Sequence, residues 1–310
     1  MKGKLAPVVL FVYNRPWHTQ KTIEALKDNK LALETELYIY SDNAKDKSEQ
    51  TNVVKVREYI DTINGFKKVT VIKKSKNWGL AASIIDGVSN LVNKHGRIIV
   101  IEDDLVTSPC FLNFMNDALD FYNDDDKVMH VSGYVYPIDN NGLDDTYFIK
   151  PASCWGWATW DRSWKYYKKD VQYYLDVFDK DMIRDFNLDG SYKYFDQIKQ
   201  NKVGKINTWA IFWYASIYLR GGLSLHPKNS FVKNIGHDGA GENCVESSYY
   251  DVEISENYPV IFTHTIVENI NARKSFKRFF DNIKEPLLNR IINKGFRMIF
   301  GKNLLKLKKG

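Results

Sequence analysis

Short apolar runs rich in β-branched and aromatic residues alternate with amphipathic stretches through the first 135 residues, and this alternation leaves few architectures open. PVVLFVY (Pro7 to Tyr13) is followed by the turn Asn14-Arg15-Pro16, and Pro16 suits the first turn of a helix running to about Asn29. ELYIYS (Glu36 to Ser41) reads as a second strand, and Ser48 as the cap of a helix carrying Val53, Val56 and Ile60 that ends near Asn64-Gly65. KVTVIKK, in the stretch from Lys67 onward, is a third strand. Gly79 to Asn93 reads as a helix, RIIVI (Arg97 to Ile101) as a fully buried fourth strand, Ser108-Pro109 as the start of a helix to about Tyr122, and VMHVSG (Val128 to Gly133) as a fifth strand. Alternating strands and helices with right-handed crossovers predict a mostly parallel sheet with helices on both faces. Ligands of such sheets bind beyond the carboxyl ends of the strands. That places interest on Asn14-Arg15, Ser41-Asp42-Asn43 and Glu102-Asp103-Asp104.

The second half changes character. Ser153 to Leu219 is aromatic-rich and reads as mostly helical, and Ser224 to about Thr265 as loops with short strands. No linker separates the halves. We expect a first half over 1–135, a second half of the same domain over 136–268 that packs at the sheet edge, and a tail over 269–310. With 44% hydrophobic and 14% aromatic residues the chain fills a core, and eight Trp with nineteen Tyr leave some for a binding surface. No apolar run reaches the roughly 20 residues of a spanning helix. The three cysteines, Cys110, Cys154 and Cys244, are scattered, which fits a reducing cytoplasm, and the N-terminal run leads into a turn and is read as a strand, not a signal peptide.

Charge is unevenly placed. Of 44 basic and 38 acidic residues, twelve and two lie in Ile270 to Gly310, leaving 32 and 36 for the rest. An acidic body argues against nucleic acid as partner. In the tail, Phe276, Phe279, Phe280, Ile283, Leu287 and Ile291 recur at helical spacing among lysines and arginines. Such a helix either lies on an anionic membrane surface or docks on the protein's own core. The expectation is membrane contact.

The strongest local signal is IIVIEDDLVTSP, Ile98 to Pro109. A buried strand ends in three consecutive carboxylates, which repel one another unless a cation is near. A hard divalent ion, sharing its coordination between a carboxylate or two and phosphate oxygens, resolves that conflict. A solvated acidic turn is the alternative. The first strand lacks a Gly-x-Gly-x-x-Gly after it, and there is no phosphate-binding Gly-rich loop with Lys-Ser/Thr and no Gly-x-Ser-x-Gly elbow, which argues against nicotinamide dehydrogenases, P-loop enzymes and hydrolases of that type.

PVVLFVYNRP, YSD, SKNWGLAAS and IEDDLVTSPCFLNFM together resemble the nucleotide-sugar half of GT-A-fold glycosyltransferases. Among these the segments are most similar to bacterial family-two-like sugar transferases and N-acetylglucosaminyltransferase I. The likeness is good over 7–135 and continues more weakly through SCWGWATW, NTWAIFW and KNIGHDGAG. It implies an α/β fold of GT-A type and a metal-dependent transfer of a sugar from a UDP-sugar to a hydroxyl of a cell-surface glycan or lipid-linked glycan, with inversion, at the cytoplasmic membrane face. It also implies that Asp104 holds Mn²⁺ or Mg²⁺, Asp103 the ribose, Glu102 the donor sugar, Asp42 the uracil, and Arg15 the phosphates or base. Asn77 and Gly79 sit in a loop before a helix, where Gly permits close approach to the donor. Trp155 and Trp157 are candidates for a sugar-stacking platform, with anchoring of the core as the alternative.

An inverting transfer needs a carboxylate base. In the resembling enzymes that Asp lies in a Trp-Asp-rich stretch after the metal motif, matched here by NTWAIFW, which has Ala210 and no acid. The nearest acids in a Gly-rich loop are Asp238 and Glu242, with Asp238 preferred; His237 beside it is a candidate metal or phosphate ligand. The rival readings are a sugar nucleotidyltransferase, which normally carries a Gly-rich N-terminal loop with Arg and Lys absent here, and a membrane-associated sugar-binding or scaffold protein that has lost its base.

Overall fold

A computed structural model describes residues 4–238 and 248–284. The elements in chain order are β1 (Val8–Val12), α1 (Pro16–Lys27), β2 (Glu36–Ser41), α2 (Gln50–Ile60), β3 (Lys68–Lys73), α3 (Leu80–His95), β4 (Arg97–Glu102), β5 (Leu105–Thr107), α4 (Phe111–Phe121), β6 (Val128–Ser132), β7 (Thr146–Ile149) and β8 (Trp157–Trp160). They continue with α5 (Asp161–Trp164), α6 (Val171–Val177), α7 (Lys180–Phe186), α8 (Tyr194–Lys202), α9 (Ala210–Leu219), β9 (Leu223–Pro227), β10 (Val232–Asn234) and α10 (Ile270–Ile283).

Eight strands form one sheet in the order β3-β2-β1-β4-β8-β6-β9-β7. The first four run parallel, as the alternation predicts. Beyond β4 the sheet is mixed, because β8 enters antiparallel between β4 and β6, and β7 is antiparallel to β9 at the edge. The aromatic second half therefore supplies three strands to the sheet itself and does more than cover its edge. On the central strands alternate residues go to opposite faces. Val8, Leu10 and Val12 of β1 join Ile99 and Ile101 of β4 under α1, α2 and α4. Val9 and Phe11 join Ile98 and Val100 in a second layer with Ile84, Val88 and Leu91 of α3 and Trp213 of α9. A third cluster, built largely from aromatic residues of α6 to α9, includes Tyr174, Phe186, Phe212 and Tyr214. Burial on both faces is why β1 and β4 read as unbroken apolar runs.

Two local expectations change. Helix α2 begins at Gln50, and Ser48 sits in the turn before it, its backbone N–H donating to Asp46 Oδ1 at 2.8 Å. A short strand, β5, follows the carboxylate triplet and pairs antiparallel with β10 (Leu105 opposite Asn234, Thr107 opposite Val232) in a separate ribbon.

The expectation that the apolar face of the tail lies on a membrane is overturned for the part that is described. Helix α10 starts at the cap Asn269, whose side chain accepts from Ala272 N. Its face of Ala272, Phe276 and Phe280 is buried against Val135, Tyr147, Ile149 and Leu188. Arg273 fixes the docking through Asp185 (2.9 Å), Glu268 (3.2 Å) and Asp189 (3.3 Å). Fully burying two Phe side chains contributes about 3–6 kcal/mol to this docking, and those rings are no longer available to a membrane. Leu287 and Ile291 lie outside the described residues. Among the described residues no helix is long and apolar enough to cross a membrane.

Candidate active site

Strand β4 emerges from the core at Glu102, so the triplet stands at the carboxyl end of the parallel sheet. The Asp103 side chain turns inward and accepts a hydrogen bond from Tyr13 N at 3.2 Å. Burial, then the charge of Asp104, pushes the Asp103 carboxyl up from its ordinary range, with Arg15 opposing. Glu102 is raised further by burial and by the charges of Asp104 and Asp103. These acids crowd one another, and in this structure the answering cation is Arg15, whose Nη1 is 3.0 Å from Asp104 Oδ2. The Arg15 Nε and Nη2 atoms are buried without a hydrogen-bond partner.

The β5–β10 ribbon brings the second group of residues here. Ile235 N donates to Asp104 O at 2.8 Å, and Gly236 follows. A methyl group on Gly236 would collide with the Asp104 carboxylate, so only glycine lets the chain pass this close. The next two residues are His237 and Asp238. The His237 Nε2 atom is buried without a hydrogen-bond partner, and burial holds the ring's pKa down while the charge of Asp104 bears on it. A neutral imidazole and a carboxylate are the donors that a manganese-type ion takes from a protein when phosphate oxygens complete its shell. Among the described residues no cluster of three or more His, Cys, Asp or Glu forms a self-sufficient metal cage. Asp238 points the other way, towards the first turn of α1. Its Oδ2 is 2.9 Å from His18 Nε2 and its Oδ1 is 3.8 Å from Arg15 Nη2. Glu242 lies outside the described residues.

Asp42 ends β2 and is buried, and it is already engaged. Its carboxylate accepts from Trp78 N (2.9 Å), Gly79 N (2.8 Å) and Asn43 N (2.9 Å). It thus ties the β2 loop to the start of α3, where Gly79 takes φ +75°. Asn77 Nδ2 adds a bond to Asn43 O at 2.7 Å. Asp42, Asn77 and Gly79 therefore form one rigid corner. Trp78, unremarked in the sequence, is 39% exposed there, with Lys74 Nζ 3.6 Å above its ring.

The two tryptophans of the expected platform separate. Trp155 packs edge-on to His237, ring centroids 5.2 Å apart, beside the carboxylates. Trp157 is a correction: it is fully buried, stacked on Trp209 at 5.3 Å and on His130 at 5.4 Å, because β8 lies in the middle of the sheet. No sugar reaches it. His130 accepts from Trp213 Nε1 and donates from Nε2 to Ser153 O, and burial drops its pKa to about 3. It is a neutral core histidine that pins the loop carrying Trp155. Ala210 opens α9, whose following residues fill the core, so this stretch offers no acid to the site. His18 is the site residue that the sequence did not single out. Its place in the apolar rhythm of α1 carries no mark of the Asp238 that meets it.

Residues 8–184, more than half of the chain, match the family described as Glycosyl transferase family 2. No curated protein matches the sequence. Among solved structures, a mannosyltransferase from Pyrobaculum calidifontis in complex with GDP-Man and Mn²⁺ is 8% identical, with 70% of this chain and 69% of that one covered and a TM-score of 0.40. The 1–349 fragment of S. aureus TarS is 10% identical, with 73% and 59% covered and a TM-score of 0.41. With the strand order, the strand-end carboxylates and a family match that begins on β1 and runs through the triplet into the second half, the chain belongs to glycosyl transferase family 2 and is a glycosyltransferase of mixed α/β, GT-A-type fold.

Proposed function

We propose that this enzyme moves a sugar from a UDP-sugar to a hydroxyl of a cell-surface glycan, with inversion and with a divalent metal. The observation that carries this reading is the Asp104 carboxylate at the open end of the sheet, its charge bearing on His237, whose Nε2 is unpartnered and which the β5–β10 ribbon brings there. Asp104 and His237 would hold Mn²⁺ or Mg²⁺. Bound there, the ion would offset the charge on the departing diphosphate. Arg15, now on Asp104, would turn its planar donors to the diphosphate once the acid has another cation. Asp103 would accept from the ribose. Glu102, its carboxyl raised by burial and neighbouring charge, is suited to hold a proton and donate it to a hydroxyl of the donor sugar. Trp155 offers a ring face to a pyranose. The corner of Asp42, Asn77 and Gly79 would seat the base. Asp238 would take the proton of the acceptor hydroxyl as its oxygen attacks the anomeric carbon and the bond to UDP breaks, with the electron pair leaving on the diphosphate oxygen.

The test is UDP release with a panel of UDP-sugars and short glycan acceptors, with Mn²⁺ or with chelator. Transfer that needs both the metal and a UDP-sugar is expected. Transfer only from guanosine-diphosphate sugars would overturn the base assignment, and full activity in chelator would overturn the metal.

Membrane contact, at the cytoplasmic face, then rests on residues 285–310, which carry seven basic residues and one acidic residue in sequence. Each basic residue near an anionic leaflet contributes about 1 kcal/mol. A chain ending at Lys284 keeps α10 and is expected to keep its melting temperature while losing co-sedimentation with anionic vesicles at low salt. Equal binding by the shortened chain would sink the idea.

A further inference from the structure

We infer that His18 is a positioning residue that fixes the carboxylate of Asp238 for proton abstraction; this rests on the reading of Asp238 as the base. His18 is the third residue of α1, its side chain only 8% exposed and its ring edge-on to that of Trp17 at 4.9 Å. Three features single it out. First, Nε2 lies 2.9 Å from Asp238 Oδ2 while Arg15 Nη2 lies 3.8 Å from Oδ1, so the first turn of α1 and the residue that caps it address both oxygens of one carboxylate. Second, Nε2 is otherwise unsatisfied: it is buried, and its contact with Asp238 has the length of a hydrogen bond without the alignment of one. Catalytic hydrogen bonds in ligand-free proteins are commonly loose in this way and tighten with substrate bound. Third, the Asp238 side chain is 44% exposed, so an acceptor hydroxyl can reach the carboxylate that His18 holds from behind.

The division of labour follows from the chain. His237 and Asp238 are adjacent, and His237 feels the charge of Asp104 while Asp238 sits against α1. A carboxylate on a side chain 44% exposed has more than one rotamer open to it. An Nε2–H donor on a helix, itself held by packing, favours one of them.

The experiment compares His18→Leu, His18→Gln and His18→Asn with Asp238→Asn and the double variant His18→Leu/Asp238→Asn. For each it measures kcat, KM for both substrates, and Mn²⁺-dependent UDP affinity by calorimetry. His18→Leu is expected to lose about tenfold to 10²-fold in kcat with UDP affinity unchanged. His18→Gln, whose amide N–H reaches the Nε2 position, is expected to recover most of that loss, and the shorter His18→Asn is not. The double variant should be no slower than Asp238→Asn alone, because a positioned group and its positioner fail as a unit. If Asp238→Asn turns over normally, the base reading falls. If Asp238→Asn is crippled while His18→Leu is unaffected, or the two losses multiply, or Gln and Asn behave alike, the base reading stands and the role of His18 is overturned. Should His18→Leu melt early, the Gln and Asn pair alone decides.

Discussion

Asp104→Ala is expected to abolish metal-dependent binding of UDP and to lower turnover by about 10³-fold or more, on the scale of losing a preorganised charge in a transfer site. The effect should be this large because Asp104 stands at the centre of the site. Its charge raises Glu102 and Asp103, bears on His237, and holds Arg15 at 3.0 Å. With the side chain gone, Arg15 is released, and Glu102 and Asp103 lose the neighbouring charge that helps to raise them. What binding remains should be indifferent to Mn²⁺, since the arginine alone can still attract the diphosphate. Calorimetry of UDP with and without Mn²⁺ reads this directly. A thermal melt separates it from misfolding: the wild-type melting temperature should rise with Mn²⁺ and UDP, because a ligand of the folded state shifts the equilibrium, and that rise should vanish in the variant. Unchanged, metal-dependent UDP affinity would move the metal elsewhere.

Asp238→Asn is expected to lose about 10²-fold or more in kcat while UDP binding holds. The substitution is nearly isosteric and keeps an oxygen towards His18, so it removes basicity and little else. It leaves Asp104, His237 and the corner at Asp42 untouched. A rise in KM for the donor at unchanged kcat would assign Asp238 to binding. Near-normal turnover would pass the role to Glu242.

What the local chemistry of the chain determined was the parallel half of the sheet and its loaded end. Apolar runs of five or six residues, broken by turns and amphipathic helices, can be satisfied only by strands covered on both faces. Three carboxylates after such a run can sit only where the strand leaves the core. Arg15, Asp42, Asn77 and Gly79 were legible for the same reason, since each follows a strand or precedes a helix in that repeat.

The tertiary structure decided the rest. SCWGWATW and the face of α10 announced aromatic surface without saying what would cover it. Trp157 lost its exposure because β8 slots between β4 and β6. The Phe276 and Phe280 face closed on Tyr147 and Leu188 rather than staying open to a membrane. A hydrophobic period specifies that a face must leave water, and packing alone specifies against what. The pairing of β5 with β10 joins Leu105 to Asn234 across the length of the domain, and so carries His237 to Asp104 and Asp238 to His18. Those contacts span more than a hundred residues, and no spacing in the sequence encodes them, because they exist only once the intervening helices and strands have closed the loop.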